Sequence, residues 1–138
     1  MVVELNAYYD FEHGKEPARV TSEEQLAAIL EEVRRTRKAA LVELLPADNP
    51  AAATLDVGFC EDRGVVWYSG PDHESCYSHN PDANATGEAK PVLYYYMTSD
   101  TEYPASAEIP AADVITAARE YMRTGGRRPT AIAWYEAD

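Results

Sequence analysis

Residues 54–69 read Thr54-Leu-Asp-Val-Gly-Phe-Cys-Glu-Asp-Arg-Gly-Val-Val-Trp-Tyr-Ser69, two apolar segments on either side of Glu61-Asp62-Arg63. Strand-forming residues flanking so short a polar break predict a β-hairpin of Thr54 to Cys60 and Gly64 to Ser69. Upstream, Ala39 to Leu45 carries Leu41, Val42, Leu44 and Leu45 and predicts a strand buried on both faces, followed by a turn at Pro46 to Pro50. Downstream, residues 70–91 are polar and rich in Pro, Asn and Asp, a loop with one short strand at Ser75 to Ser78. Pro91 to Met97 is the next strand. Its alternation puts Val92, Tyr94 and Tyr96 on one face and Leu93, Tyr95 and Met97 on the other.

The ends of the chain supply the helices and the outer strands. Val3, Leu5 and Ala7 alternate with Glu4 and Asn6, a period of two that marks a first strand, and Arg19-Val20 extends briefly. Thr21 with Glu24 and Ser22 with Gln25 are overlapping capping boxes ahead of the stripe Leu26, Ile29, Leu30 and Val33. Glu23 and Glu24 open that helix while Arg34, Arg35, Arg37 and Lys38 close it, each sign at its favourable end of the macrodipole. The basic cluster thus has a structural reason and is not read as a nucleic-acid patch. After Pro110, the residues Val114, Ala117, Ala118, Tyr121 and Met122 form a second apolar helix face that Gly125-Gly126 ends, with a last strand at Thr130 to Tyr135. The order is β-α-β-β-β-(β)-β-α-β. Consecutive strands joined by short turns predict an α+β fold: a mostly antiparallel sheet of about six strands with two helices packed on it.

At 138 residues the chain is the size of one domain, spanning 1–138. Its 24 Asp and Glu against 12 Lys and Arg give a net charge of −12. An anion of that size repels phosphate backbones, so direct nucleic-acid binding is not expected. No apolar run is long enough to span a membrane and no secretory signal opens the chain, so a cytoplasmic protein is expected. Cys60 and Cys76 could in principle bridge, although two free thiols in a reducing cytosol is the plainer reading.

Little in the sequence resembles catalytic machinery. His73-x-x-Cys76-x-x-His79 offers zinc-type ligands, but three-residue spacing along a strand scatters them over both faces and no fourth ligand follows. Cys76 lacks a nucleophile motif, and Gly125-Gly126 follows a helix where a phosphate loop would precede one. No metal, no cofactor and no enzymatic activity are expected. The aromatic mix points elsewhere: ten tyrosines and two tryptophans against two phenylalanines. Rings with polar tips suit interfaces. Tyr94, Tyr95 and Tyr96 run into Asp100, Glu102, Tyr103 and Glu108, and Trp67, Tyr68, Asp72, Glu74 and Tyr77 form a second acidic, aromatic run. Such a surface favours a basic protein partner.

The run Tyr94-Tyr-Tyr-Met-Thr-Ser-Asp-Thr-Glu-Tyr-Pro104, then Glu108-Ile-Pro110, Thr124-Gly-Gly-Arg-Arg-Pro-Thr130 and Trp134, resembles the first family of immunity proteins from bacterial polymorphic toxin systems. Tyr8-Tyr-Asp10, His13-Gly14, the helix from Ser22 and Asp62-Arg-Gly-Val-Val-Trp-Tyr-Ser69 share the likeness. The resemblance implies a cytoplasmic α+β antitoxin, encoded beside a secreted toxin and bound to that toxin's C-terminal domain, often a nucleic-acid deaminase. It implies inhibition by occlusion: an acidic, Tyr-rich face covers the basic substrate cleft. Gly125, Gly126, Arg127, Arg128 and Pro129 fit a structural turn. Asp100, Glu102, Tyr103 and Glu108, expected in a loop before the second helix, are the first candidates for partner contact, joined by Tyr94, Tyr96, Trp67 and Asp72. Where the family carries a bulky aromatic after the Tyr-Tyr-Met run, this chain has Thr98-Ser99-Asp100, which implies a different toxin if that loop sets specificity. The alternatives are a small enzyme or ligand-binding domain with a deep Tyr-lined pocket, and an oligomerising module with a self-complementary apolar patch.

Overall fold

A computed structural model describes residues 4–9, 16–49, 53–71, 73, 75–80, 91–96 and 99–136. The expected α+β architecture is present: two helices and a largely antiparallel sheet. The strands are β1 (Leu5–Tyr8), β2 (Ala18–Val20), β3 (Ala40–Pro46), β4 (Thr54–Cys60), β5 (Arg63–Ser69), β6 (Cys76–Ser78), β7 (Val92–Tyr96), β8 (Ser99–Tyr103), β9 (Ile109–Pro110) and β10 (Trp134–Glu136). The helices are α1 (Glu23–Thr36) and α2 (Ala111–Arg123). The main path runs β10-β6-β5-β4-β3-β1-β2, with the β7–β8 hairpin joined to β3 and β9 joined to β5.

The central hairpin is β4 on β5, in register from Thr54 opposite Ser69 to Cys60 opposite Arg63. Its turn needs the left-handed region at Glu61, where φ is 60°. Both helices hold that turn: Arg34 Nε donates to Glu61 O at 2.9 Å and Ala111 N–H to Asp62 O at 2.8 Å.

Alternation along the strands then decides which residues meet the helices. Ala7, Val42, Leu44, Leu55, Val57, Phe59, Val66 and Tyr68 share one core with Leu26, Leu30 and Val33 of α1 and Val114, Ala117, Ala118, Tyr121 and Met122 of α2. Ser22 caps α1 by accepting from Gln25 N–H at 3.1 Å, while the Gln25 side chain accepts from Thr21 N–H at 2.8 Å. Glu23 ties the helices together, its carboxylate 2.8 Å from Arg123 Nη2 and 3.2 Å from Arg119 Nε. Two of the cations that close α1 reach other parts of the fold: Arg34 holds the Glu61 carbonyl and Arg37 Nη1 donates to Tyr9 O at 2.6 Å.

Strands β8 and β9 exceed the expected set, while β2 is the brief extension expected at Arg19-Val20. Ser99 to Tyr103 was expected as part of a loop. Its first four residues are exposed, so its composition is that of a solvated segment, yet β7 supplies a full antiparallel ladder from Val92–Tyr103 to Tyr96–Ser99. The final strand is shorter than the sequence predicts. Glu120 accepts from Thr130 N–H at 2.7 Å, Thr130 Oγ1 at 2.9 Å and Ala131 N–H at 3.0 Å, drawing these donors to a side chain and away from any ladder.

The Gly125-Gly126 turn closes α2 as a Schellman motif. Gly126 N–H bonds Tyr121 O at 2.9 Å and Gly125 N–H bonds Met122 O at 3.4 Å, with φ of 77° at Gly125 and 100° at Gly126. Arg128 lies over the Trp134 ring at 5.6 Å, and Trp134 Nε1 donates to Pro129 O at 2.7 Å, so the following turn is structural too. Gly125→Val is therefore expected to lower stability by about 1 kcal/mol or more, and Gly125→Asn by less, because Asn tolerates the left-handed region. Equal melting midpoints for wild type and the Val variant would contradict the assignment.

Candidate functional site

Among the described residues neither α1 nor α2 packs on the second face of the sheet; a single 3-10 turn at Ala105–Ala107 rests there through Ala107. Part of that face is covered by the β7–β8 hairpin, whose inward rings build a smaller core of Ala39, Leu41, Val65, Tyr94, Tyr103 and Ala107. Gly58 makes this possible: a Cβ there would lie 2.7 Å from the Tyr94 ring. Tyr103 meets Tyr94 edge-on at 5.7 Å and Tyr77 of β6 at 5.4 Å, which places the hairpin back across the sheet.

Beside that lid the register aligns one row of side chains across six strands: Tyr8, Glu43, Asp56, Trp67, Tyr77 and Tyr135. Direct cross-strand partners share a face, so all six project away from the helices. An open cleft of about 350 Å³ lies against the row, lined by Asp56, Trp67, Ser75, Tyr77, Thr101 and Tyr103. Trp67 Nε1 donates to Ser75 Oγ at 3.2 Å, which fixes the indole.

Two carboxylates sit side by side in this row. Burial, then the neighbouring Glu43 charge, raises the Asp56 pKa to about 7. Burial also raises Glu43 above the usual carboxylate range. Asp56 Oδ1 is shut away from solvent and has no hydrogen-bond partner among the described residues. Tyr96 is pushed up to about 12 by burial, then by Glu43 and Asp56.

The sequence-selected residues divide into separate groups. Tyr94 and Tyr103 are in the core, 1% and 2% exposed, and the Tyr94 hydroxyl donates to Glu108 Oε2 at 2.8 Å. Burial, followed by the Glu108 hydrogen bond, drives the Tyr94 pKa upward. Tyr96 is half-buried on the inner face of the hairpin, and Trp67 lines the cleft. Asp100 and Glu102 are exposed on the hairpin's outer face, opposite Tyr95 and Leu93, which are themselves 42% exposed. Asp72 lies outside the described residues, as do Glu74, Met97, Thr98, His13 and Gly14. Among the described residues no three His, Cys, Asp or Glu side chains converge to hold a metal ion. No disulfide joins Cys60 and Cys76, and Cys76 is buried with Arg128 Nη1 3.4 Å from its sulfur.

Glu43 and Asp56 were not singled out from sequence. A signal was there, since each is a lone acid inside an otherwise apolar strand, Leu41-Val-Glu-Leu-Leu45 and Leu55-Asp-Val57. Their raised pKa values have a stability consequence. Between about pH 4 and pH 7 the folded chain keeps a proton on Asp56 that the unfolded chain has released, so stability falls as pH rises through that window. Asp56→Asn is thus expected to melt about 5 °C or more above wild type at pH 8, with the gap closing near pH 4. A variant melting no higher than wild type at pH 8 would contradict the buried, unpaired carboxylate.

The chain matches the family described as immunity protein Imm1 over residues 14–136. No curated protein matches it. The matched span takes in both helices, the Asp56 cleft and the β7–β8 hairpin. With the expected fold present and nearly the whole length matched, the chain belongs to the Imm1 family of immunity proteins, whose role is protection against a toxin.

Proposed function

We propose that this protein is a cytoplasmic antitoxin that binds a cognate polymorphic-toxin domain of the nucleic-acid deaminase type and blocks it by covering its substrate cleft. The observation that carries this reading is the row Tyr8, Glu43, Asp56, Trp67, Tyr77 and Tyr135 on the face turned away from α1 and α2, half-buried except for the exposed Tyr135. It combines amphipathic rings, the residue types that anchor interfaces, with carboxylates that sit in a partly desolvated setting. A toxin that acts on nucleic acid presents a basic cleft, and a chain of net charge −12 is drawn to it. Exposed Asp100 and Glu102, with Tyr95 and Leu93 beside them, extend the same side of the molecule. Occlusion requires no chemistry from the antitoxin, so no residue is assigned a catalytic role.

The open cleft at Asp56 favours one second reading, a small-ligand site lined by aromatic rings. The two readings separate on the partner: an antitoxin rescues cells from the toxin domain encoded beside its gene, whereas a ligand-binding domain does not.

Co-expression with that toxin domain is expected to restore growth and yield a complex that survives purification. Asp100→Lys with Glu102→Lys is expected to weaken the complex at least ten-fold while leaving the melting midpoint within a degree or two, because both side chains are exposed. Glu108 is left out of this variant because its carboxylate accepts from Tyr94 inside the fold. An unchanged affinity would remove the outer face of the hairpin from the interface. Death of co-expressing cells, with both proteins folded and the toxin active, would overturn the antitoxin reading for that pair.

A further inference from the structure

Asp56 is a group that folding alone does not explain. On a strand flanked by Leu55 and Val57, its Oδ1 is buried with no partner among the described residues, and replacing the carboxylate with an uncharged side chain would lower that cost. Its surroundings are specific. Trp67 stands next to it in the row and Tyr77 one strand further on, Tyr103 and Thr101 of the hairpin line the same cleft, and Ser75 holds the indole in place. Glu43 is its direct cross-strand neighbour, with Cβ atoms about 4.5–5.5 Å apart for such a pair.

Resting on the antitoxin reading, we propose that this cleft is a socket for one arginine side chain of the toxin, its guanidinium paired with Asp56 and stacked among the Trp67, Tyr77 and Tyr103 rings. A planar, forked cation suits a carboxylate and aromatic walls at once, whereas a lysine ammonium is a point charge that cannot stack. The desolvation of Asp56 is already met when the antitoxin folds. Docking a cation therefore recovers an attraction without dehydrating that carboxylate again, which is how a preorganised anchor gains affinity. Among the described residues the titratable groups that interact with Asp56 are Glu43 from β3, Tyr96 from β7, Tyr103 from β8 and, across the sheet, Tyr121 from α2, with Tyr77 of β6 lining the same cleft. The guanidinium binds the ionised acid, so docking expels the Asp56 proton.

The test is calorimetric titration of the adjacent toxin domain into the full chain and into its Asp56→Asn variant. For wild type, affinity is expected to rise about ten-fold between pH 6 and pH 8, as one proton with a pKa near 7 is displaced. Asp56→Asn is expected to bind at least ten-fold more weakly at pH 8 and to lose that slope. Equal affinity and an equal slope in the variant would overturn the socket while leaving the antitoxin reading intact. Absence of any wild-type complex would instead overturn the antitoxin reading for that pair. In that case acetyl-arginine amide, followed at the Trp67 indole resonance, decides the socket. A saturable shift that Asp56→Asn abolishes and that neutral acetyl-citrulline amide does not produce supports it, and no shift overturns it.

Discussion

Every feature of this molecule follows from how its sheet is covered. Both helices lie on one face, and tyrosine hydroxyls pin α2 there. Tyr121 Oη is 3.2 Å from the carbonyl oxygens of both Leu44 and Ala53, and Tyr68 Oη donates to Gly126 O at 2.8 Å. Those bonds cross the main core, linking the last turns of α2 to β3, β5 and the chain entering β4. Once Leu44, Leu55 and Tyr68 are committed to the helices, the period of two sends Glu43, Asp56 and Trp67 to the other side. No residue can be moved between faces without slipping a whole strand.

The second face is then covered by the β7–β8 hairpin, which seals one end with Tyr94 and Tyr103 and leaves Asp56 at the edge of its shadow. A carboxylate in that position is costly: its Oδ1 is shut away from solvent and has no donor among the described residues. Groups whose titration is shifted by burial together with a specific charged neighbour cluster at functional sites. The same geometry accounts for the aromatic composition. Tyr68, Tyr94, Tyr103 and Tyr121 are core residues, whereas Tyr8, Tyr77 and Tyr135 supply the row on the second face.

Much of this was legible in the residues themselves. The hairpin at 54–69, the capped helix after Ser22, the glycine stop after α2 and the alternation of 92–96 are local signals, and each was kept because its tertiary neighbours agree with it. Where neighbours decide, sequence reading ended early. The Ser99–Tyr103 strand exists because β7 offers it a ladder, and Thr130–Ala131 leaves its expected strand because Glu120 captures its amides. The candidate contact residues show the same limit. Sequence proximity grouped Tyr94, Asp100, Glu102, Tyr103 and Glu108, but the pleat separates them into an exposed acidic face and an internal Tyr94–Glu108 link. Conversely, Glu43 and Asp56 are thirteen positions apart and become neighbours only through the β3–β4 register.

The central claim is that the face turned away from α1 and α2 meets the toxin. Hydroxyl-radical footprinting of the free antitoxin and of its complex with the adjacent toxin domain tests this most directly. Tyr95 and Tyr135, 42% and 51% exposed in the free chain, and Trp67 at the cleft are the reporters. Loss of reactivity at these rings, with the outward residues of α1 and α2 unchanged, is the predicted result. Protection confined to the helices, with the rings as reactive as before, would contradict it.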